Sequence, residues 1–318
     1  MKVKRILGIA FSVMLGMSVL GACSEDKSNG SSGSAETSAS SNSETLTVVS
    51  TTGYLTDAIN NVAPDAEVRT LVAPGGDPHT QELTTADIEA VNEADLVVWT
   101  SHDMEHRMRD HFDKLGERSH PAAEVIDESK LLPWEDEVDG HDPHVWNSPE
   151  LWQEVVTGIG EKFADIDPDN AQTYRDNAAA YNEKIQAAHV KASEQLSKIP
   201  EENRYLITGH DAFNYLGDTY NMTVLATDLV TSEAEISAAE LDELAQTIAD
   251  HKVPVIFQDN LKNPEAIKHL QDSVVAKGGK VEVSDKVLYA DTLGDSAPTD
   301  TYLGAFEHNV QAIVEALS

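Results

Sequence analysis

The sequence predicts an α/β protein of two similar lobes with largely parallel sheets, joined by one long rigid helix. Three observations predict it. Short β-rich runs alternate with helical stretches from Thr45 onward; one long segment of single helical periodicity between Asp167 and Pro200 interrupts them; and the alternation then resumes toward the C-terminus. Alternating strand and helix is the pattern of a sheet whose parallel strands are linked by helical crossovers. A length of 318 residues also suits two medium lobes better than one small core.

The chain opens on a targeting pattern. Lys2, Lys4 and Arg5 form a basic start, Ile6 to Ala22 are 17 residues without a charge, and the run closes in Leu20-Gly21-Ala22-Cys23. That is the order of a secretory signal peptide, assigned to residues 1–22. A run this short, with several Gly and Ser, would be a marginal permanent span. Cys23 follows the small residues and is the only cysteine of the chain. An exported protein with one cysteine forms no internal disulfide, and a free thiol outside the cell is a liability. The stretch is similar to the bacterial lipoprotein box, and acylation of Cys23 accounts for both its presence and its isolation. Residues 23–44 are mostly Ser with Gly, Asn, Thr and acids, too polar to offset the entropy of ordering, and read as a flexible tether. The expected protein is a globular body held by lipid at the outer face of the cell membrane.

The first lobe is assigned to residues 45–167. Its strand runs are "LTVVST", "VRTLVA" and "DLVVWTS", and its helix "TTADIEAVNEA" starts with Thr84 and carries Asp87 three residues on, a capping-box spacing. "SHDMEHRMRDHF", with His102, His106 and His111, is charged throughout and reads as a solvated helix. The linking helix is assigned to residues 168–199. Between Pro168 and Pro200 there is no proline, and Tyr174, Ala178, Tyr181, Ile185, Ala188, Ala192 and Ile199 keep a seam with one position missed. About 30 helical residues would span roughly 45 Å. The second lobe, residues 200–318, repeats the alternation with "RYLITGH", "MTVLAT", "VPVIFQD" and "KVEVSD". Its helices are "SAAELDELAQTIADHK" and "NPEAIKHLQDSVVAKGG", the latter with Asn263-Pro264 as cap and first turn and Gly278 as stop.

Charge narrows the partners. Lys plus Arg number 22 against 56 Asp plus Glu, a net charge of −34. Such a body is repelled by nucleic acid and by anionic headgroups, so nucleic acid is excluded as a partner and membrane contact is left to the lipid anchor.

Four polar residues sit where strands should end. His79 follows "VRTLVA" through Pro-Gly-Gly-Asp-Pro, His144 lies in the loop before a helix that opens near Asn147, His210 ends "RYLITGH", and Asp291 follows "KVLYA". Ligands of open α/β sheets gather beyond the carboxyl ends of the strands. With two candidates in each lobe, they converge only in the cleft between lobes. Imidazoles plus a carboxylate form a set for a first-row divalent metal. The tripeptide Asp-Pro-His occurs twice, at Asp77-Pro78-His79 and Asp142-Pro143-His144. Proline fixes its own φ and extends the preceding residue, so each loop holds its imidazole in few conformations. Asp77 and Asp142 are candidates to orient the rings. His141 is a rival to His144, whereas His120, His251, His269 and His308 are isolated and read as superficial. His-Glu-x-x-His, a P-loop and a Ser-His-Asp arrangement are absent.

On "GGDPHTQELTTADIEAVNEADLVVW", "DPHVWNSPE", "LITGHDAFNYLGDTYNM" and "LYADTLGDSAPTDTYLGAFEHNV", in that order, the chain resembles the TroA/ZnuA-like metal-binding lipoproteins of bacterial ABC importers. The resemblance runs from about Leu46 to the C-terminus. It implies metal ligands at His79, His144, His210 and Asp291, a site between the two lobes, zinc or manganese as cargo, no enzymatic activity, and an ABC permease with its ATPase as partners of a monomer. Two departures matter. Zinc-dedicated members carry a His-rich loop between the first two ligands, but "SHPAAEVIDESKLLPWEDEVDGH" has histidine only at its ends. In "VIFQDN" members often have glutamate at Asp259, which leaves Asp259 as a support or as a competitor of Asp291. The other reading, a secreted metal-dependent hydrolase on the same ligands, requires an open coordination position and a general base, and no such base is evident.

Overall fold

The computed structural model describes residues 45–134, 140–228, 236–261 and 264–318. The expected signal peptide, Cys23, the tether and the Asn263 cap fall outside them. The first half runs β1 (Thr47–Ser50), α1 (Gly53–Val62), β2 (Glu67–Thr70), α2 (Thr85–Glu93), β3 (Leu96–Trp99), α3 (Arg109–Phe112) and β4 (Ser119–Pro121). Its strands pair in parallel in the order β2-β1-β3-β4. All four residues of β3 are buried, as expected of a central parallel strand covered on both faces. The Thr84–Asp87 capping box opens α2: Thr84 Oγ1 accepts the Asp87 N–H at 3.2 Å, and Asp87 accepts the Thr84 N–H at 3.0 Å.

Then come α4 (Pro149–Ile166), capped by Ser148 with proline in its first turn, and α5 (Ala171–Leu196), entered through a 3-10 turn at Pro168–Asn170. The second half runs β5 (Tyr205–Thr208), α6 (Asn214–Tyr220), β6 (Thr223–Ala226), α7 (Ala238–His251), β7 (Val255–Ile256), α8 (Pro264–Ala276), β8 (Glu282–Val283) and α9 (Tyr302–Leu317). β5 pairs with β6 and β7 with β8, both in parallel. Phe257, just past β7, donates its N–H to the Ile207 carbonyl at 2.7 Å, which sets β7 beside β5. The layer therefore runs β6-β5-β7-β8. Counted within its own half, each lobe has the strand order 2-1-3-4.

α5 is 26 residues long, about 39 Å at the usual rise. Its buried residues are Ala178, Tyr181, Ile185, Ala188, Ala192 and Leu196, so Leu196 fills the position the expected seam lacked. Tyr174 is only half-buried, and Ile199 is buried beyond the helix end. The helix is shorter than expected at both ends, because Pro168–Asn170 take the tighter 3-10 turn and residues 197–199 leave the helix before Pro200. α5 packs mainly on α4, with α9 and α1 also against it. Gly160 permits the α4 approach, since a Cβ there would lie 2.9 Å from that of Ala178. One apolar core runs from Val48 and Leu55 through Trp146, Trp152 and Ile185 to Phe213, Tyr302 and Ile313, across both halves. Smaller cores lie under Val97 and Phe112 in the first half and under Ile256 and Leu270 in the second.

The segment from Ser101 to Phe112 is not the expected solvated helix. Only Arg109–Phe112 is α-helical, and Ser101, His102 and Asp103 lie in the left-handed region with φ of 82°, 50° and 62°. Met104, Met108 and Phe112, four apart, are fully buried, and so is Glu105. The Glu105 carboxylate accepts the N–H groups of Thr100 at 2.8 Å and Ser101 at 3.1 Å, and the Thr51 hydroxyl at 2.5 Å. It thus satisfies the backbone where β3 ends. The charges concealed an apolar stripe and one structural carboxylate.

Candidate metal centre

The two Asp-Pro-His loops have the same construction. Asp77 Oδ1 accepts the backbone N–H of His79 at 2.9 Å, and Asp142 Oδ1 accepts that of His144 at 2.9 Å. Each aspartate closes a turn over a proline, which has no N–H of its own to compete. Beyond the backbone the loops differ. Asp142 Oδ1 also takes the Nδ1–H of His144 at 2.7 Å, which turns Nε2 inward toward Asp291. Asp77 Oδ2 instead accepts the Thr80 hydroxyl at 2.9 Å.

His210 sits two residues past β5. Its N–H donates to Asp259 Oδ2 at 2.7 Å, while Asp259 Oδ1 accepts the Leu261 N–H at 3.0 Å. Gly209 makes room for this carboxylate, because a Cβ there would lie 2.6 Å from Asp259 Oδ2. Asp291 follows Leu288, which bridges to Asp259 in parallel register.

These loops bring four side chains to one point. His79, His144, His210 and Asp291 have relative exposures of 0%, 0%, 1% and 0%, so bulk water solvates none of them. One donor atom from each lies within 4.8 Å of the others. Asp291 Oδ2 is 3.4 Å from His79 Nε2 and 3.2 Å from His210 Nε2; Asp291 Oδ1 is 3.3 Å from His144 Nε2. The Nε2 atoms of His144 and His210 are 3.2 Å apart. A tetrahedral ion bonded at about 2.0–2.1 Å has ligand atoms about 3.3–3.4 Å from one another, and these four contacts fall close to that edge while the whole set stays within 4.8 Å. Both oxygens of Asp291, both ring nitrogens of His79 and Nδ1 of His210 have no hydrogen-bond partner among the described residues. Buried polar atoms are normally satisfied, so such a convergence marks a place for a cation.

Electrostatics agree with this. Burial would raise the pKa of Asp291, but the rings of His210 and His144 outweigh it and hold the carboxylate well below its usual range. Burial would lower His144, yet Asp142 and Asp291 push it up to about 10. His210 is raised by Asp291 against its burial, whereas burial wins at His79 and lowers it. The carboxylate is thus kept anionic beside the three rings.

The other sequence candidates lie elsewhere. Asp259 supports the His210 backbone and is outside the group of four. His141, also outside it, faces His102, with ring centroids 5.7 Å apart. His120 is half-buried, and its buried Nε2 has no hydrogen-bond partner among the described residues; it is not superficial as its isolation suggested. Residues that the sequence reading missed hold Asp291 in place. Trp146 donates its Nε1–H to the Ala290 carbonyl at 2.9 Å, and Asn260 bonds to the backbone on either side of Asp291. Only the proximity of Trp146 to His144 in sequence could have pointed to any of them.

Two parallel-sheet lobes on a long helix, with three imidazoles and one carboxylate buried together, have the make-up of a metal-binding solute-binding protein. Residues 48–316 match the family described as ZnuA, zinc-uptake complex component A, periplasmic, and the chain belongs to that family. The zinc-binding protein TroA of Treponema pallidum is 33% identical over 85% of this chain and 88% of its own length. The manganese-binding lipoprotein MntA of Bacillus subtilis is 31% identical over 86% and 90%. The iron-binding protein YfeA of Yersinia pestis is 30% identical over 88% and 89%. The solved structure of TroA, at 32% identity, matches with a TM-score of 0.82 over 86% of this chain and 99% of that one. The chain is accordingly the substrate-binding component of a metal ABC transporter, and it acts outside the cytoplasm.

Proposed function

We propose that His79, His144, His210 and Asp291 together hold one divalent transition-metal ion, zinc or manganese, as cargo for delivery to a membrane permease driven by its ATPase. The observation that carries this is the convergence of buried, unpartnered nitrogen and oxygen atoms at ligand-to-ligand spacing. Relatives named for zinc, manganese and iron are 33%, 31% and 30% identical, so similarity does not select the metal. Chemistry narrows it. Three nitrogens and one carboxylate favour zinc on intrinsic affinity, since zinc lies above iron and manganese in the divalent series. Both Asp291 oxygens face the imidazoles, which admits a chelating carboxylate and the higher coordination number that suits manganese. Both ions are expected to bind, zinc at least as tightly, with availability and permease setting the cargo. Metal content after native expression, followed by competition titration, tests this; a protein that retains neither ion would overturn it.

The lobe boundaries at residues 45–167, 168–199 and 200–318 are part of the same reading, supported by the strand order repeated on either side of α5. So is attachment through Cys23, supported by its place after Leu20-Gly21-Ala22. Cys23→Ala should release the protein into the medium or leave it unprocessed; normal processing and membrane fractionation of the variant would refute lipidation.

A further inference from the structure

Asp291 lies on a loop held by Asn260, by Trp146 and, through Thr292, by Gly75. Asn260, beside the bridge between Asp259 and Leu288, receives the Ala290 N–H on its Oδ1 at 2.9 Å. Its Nδ2 donates to the Thr292 carbonyl at 2.7 Å and to Thr292 Oγ1 at 2.8 Å. One amide therefore fixes the peptide groups on both sides of the carboxylate ligand. The hydroxyl reached by Asn260 faces the other lobe as well: Thr292 Oγ1 accepts the Gly75 N–H at 2.9 Å. Gly75 has φ of 75° and begins the loop that carries His79. A Cβ on Gly75 would lie 3.8 Å from the Asn260 carbonyl, so the His79 loop also runs close to the backbone of Asn260. Asn260 and Thr292 are 6% and 1% exposed, which excludes water as an easy substitute for these bonds.

We propose that Asn260 and Thr292 are positioning residues that hold Asp291 with both carboxylate oxygens toward the ion and latch that loop to the His79 loop, thereby setting manganese against zinc. The inference rests on the metal-carrier reading above. The two oxygens divide the imidazoles between them, Oδ1 facing His144 and Oδ2 facing His79 and His210. That orientation depends on the Asp291 backbone, because apart from the three imidazoles no group among the described residues holds either oxygen. If the loop loosens, the carboxylate is free to turn to a single-oxygen contact. Zinc accepts four-coordination by three imidazoles and one oxygen. Manganese, lower in intrinsic affinity and suited to oxygen donors, loses more.

The test uses the lipid-free body, residues 45–318, which is contained in one compact unit of the fold. Mn²⁺ and Zn²⁺ are each titrated in competition with a chromophoric chelator, and melting is recorded without metal. Asn260→Ala should weaken Mn²⁺ by about 10- to 100-fold, the usual loss when support behind a ligand is removed, and Zn²⁺ by no more than about threefold. Thr292→Val removes the acceptor shared by Gly75 and Asn260 and should shift the ratio the same way and speed Mn²⁺ release. Thr292→Ser restores the hydroxyl and should restore the wild-type ratio. Equal loss of both ions, or a Ser variant that behaves like Val, overturns the assignment while leaving the carrier reading intact. Wild-type protein that binds neither ion defeats both. If Asn260→Ala does not fold, the Val and Ser pair decides.

Discussion

Asp259 and Asp291 look interchangeable as letters, and the atoms each one faces separate them. Asp259 accepts two backbone N–H groups, one from His210 and one from Leu261, whereas both oxygens of Asp291 face imidazoles. Asp291→Ala should therefore abolish or severely weaken manganese binding, leaving three imidazoles that still hold zinc more weakly. Asp259→Ala should cost affinity for both metals more gently, through a loosened His210. Isothermal titration of each variant with each metal checks this. Manganese binding lost in Asp259→Ala and intact in Asp291→Ala would mean that the wrong acid has been given the ligand role. His79 and His144 were legible in the sequence because proline and a neighbouring aspartate fix their loops locally, and His210 because it ends a β-rich run. Asn260 and Thr292 were not, since their bonds join positions 32 residues apart and leave no local pattern. Asp142 was legible as a candidate, but its 2.7 Å contact to Nδ1, where Asp77 turns to the Thr80 hydroxyl, was not.

Among the elements, those with a cap, a long period or a β-rich run were readable, and the extents of the shortest strands were not. The capping box at Thr84 and the α5 seam express local rules. β7 and β8 have two residues each, and their expected runs continue into irregular backbone that still pairs, at Phe257 and Asp259. β4, only Ser119–Pro121, ends in a proline and gave no strand signal; it pairs with β3 at the sheet edge, where proline is tolerated. Its His120 carries a pH prediction. Burial, with a smaller contribution from Lys162, lowers the pKa of His120 to about 4 from an ordinary 6.5. The folded state therefore resists a proton that the unfolded chain accepts. Stability from this group is complete above about pH 6.5 and is lost as pH falls toward 4; the loss is estimated at about 1–2 kcal/mol for a partly exposed ring. His120→Gln, measured without metal, should flatten that part of the urea-midpoint profile between pH 7 and 4. An unchanged slope would place the acid sensitivity elsewhere.

At the scale of the whole molecule, the question is how far the lobes move when the ion enters. A flexible hinge of two or three extended strands permits wide closure, but this chain connects its halves differently. α5 contains no Gly or Pro, the usual sites of a kink. The helix is also tied sideways to elements of both halves: Tyr181 donates its hydroxyl to Asp57 on α1, and Lys191 pairs with Glu307 on α9 at 3.0 Å. Next to the site, Tyr54 stacks on Trp146 at 4.9 Å between centroids and meets Tyr302 edge-on at 6.3 Å, so one aromatic group joins α1, the His144 loop and α9. The main apolar core continues through all of them. A large rotation would open that core, and buried side chains of this size cost about 1.5–3 kcal/mol each to expose. A single ion that enters among four already gathered side chains gains little by such a rearrangement. Small-angle scattering of the metal-free and metal-loaded body should therefore give nearly superimposable curves, with changes confined to the loops of His79 and Asp291. A marked fall in the radius of gyration on adding zinc or manganese would show that the lobes hinge, and that α5 does not act as a rigid strut.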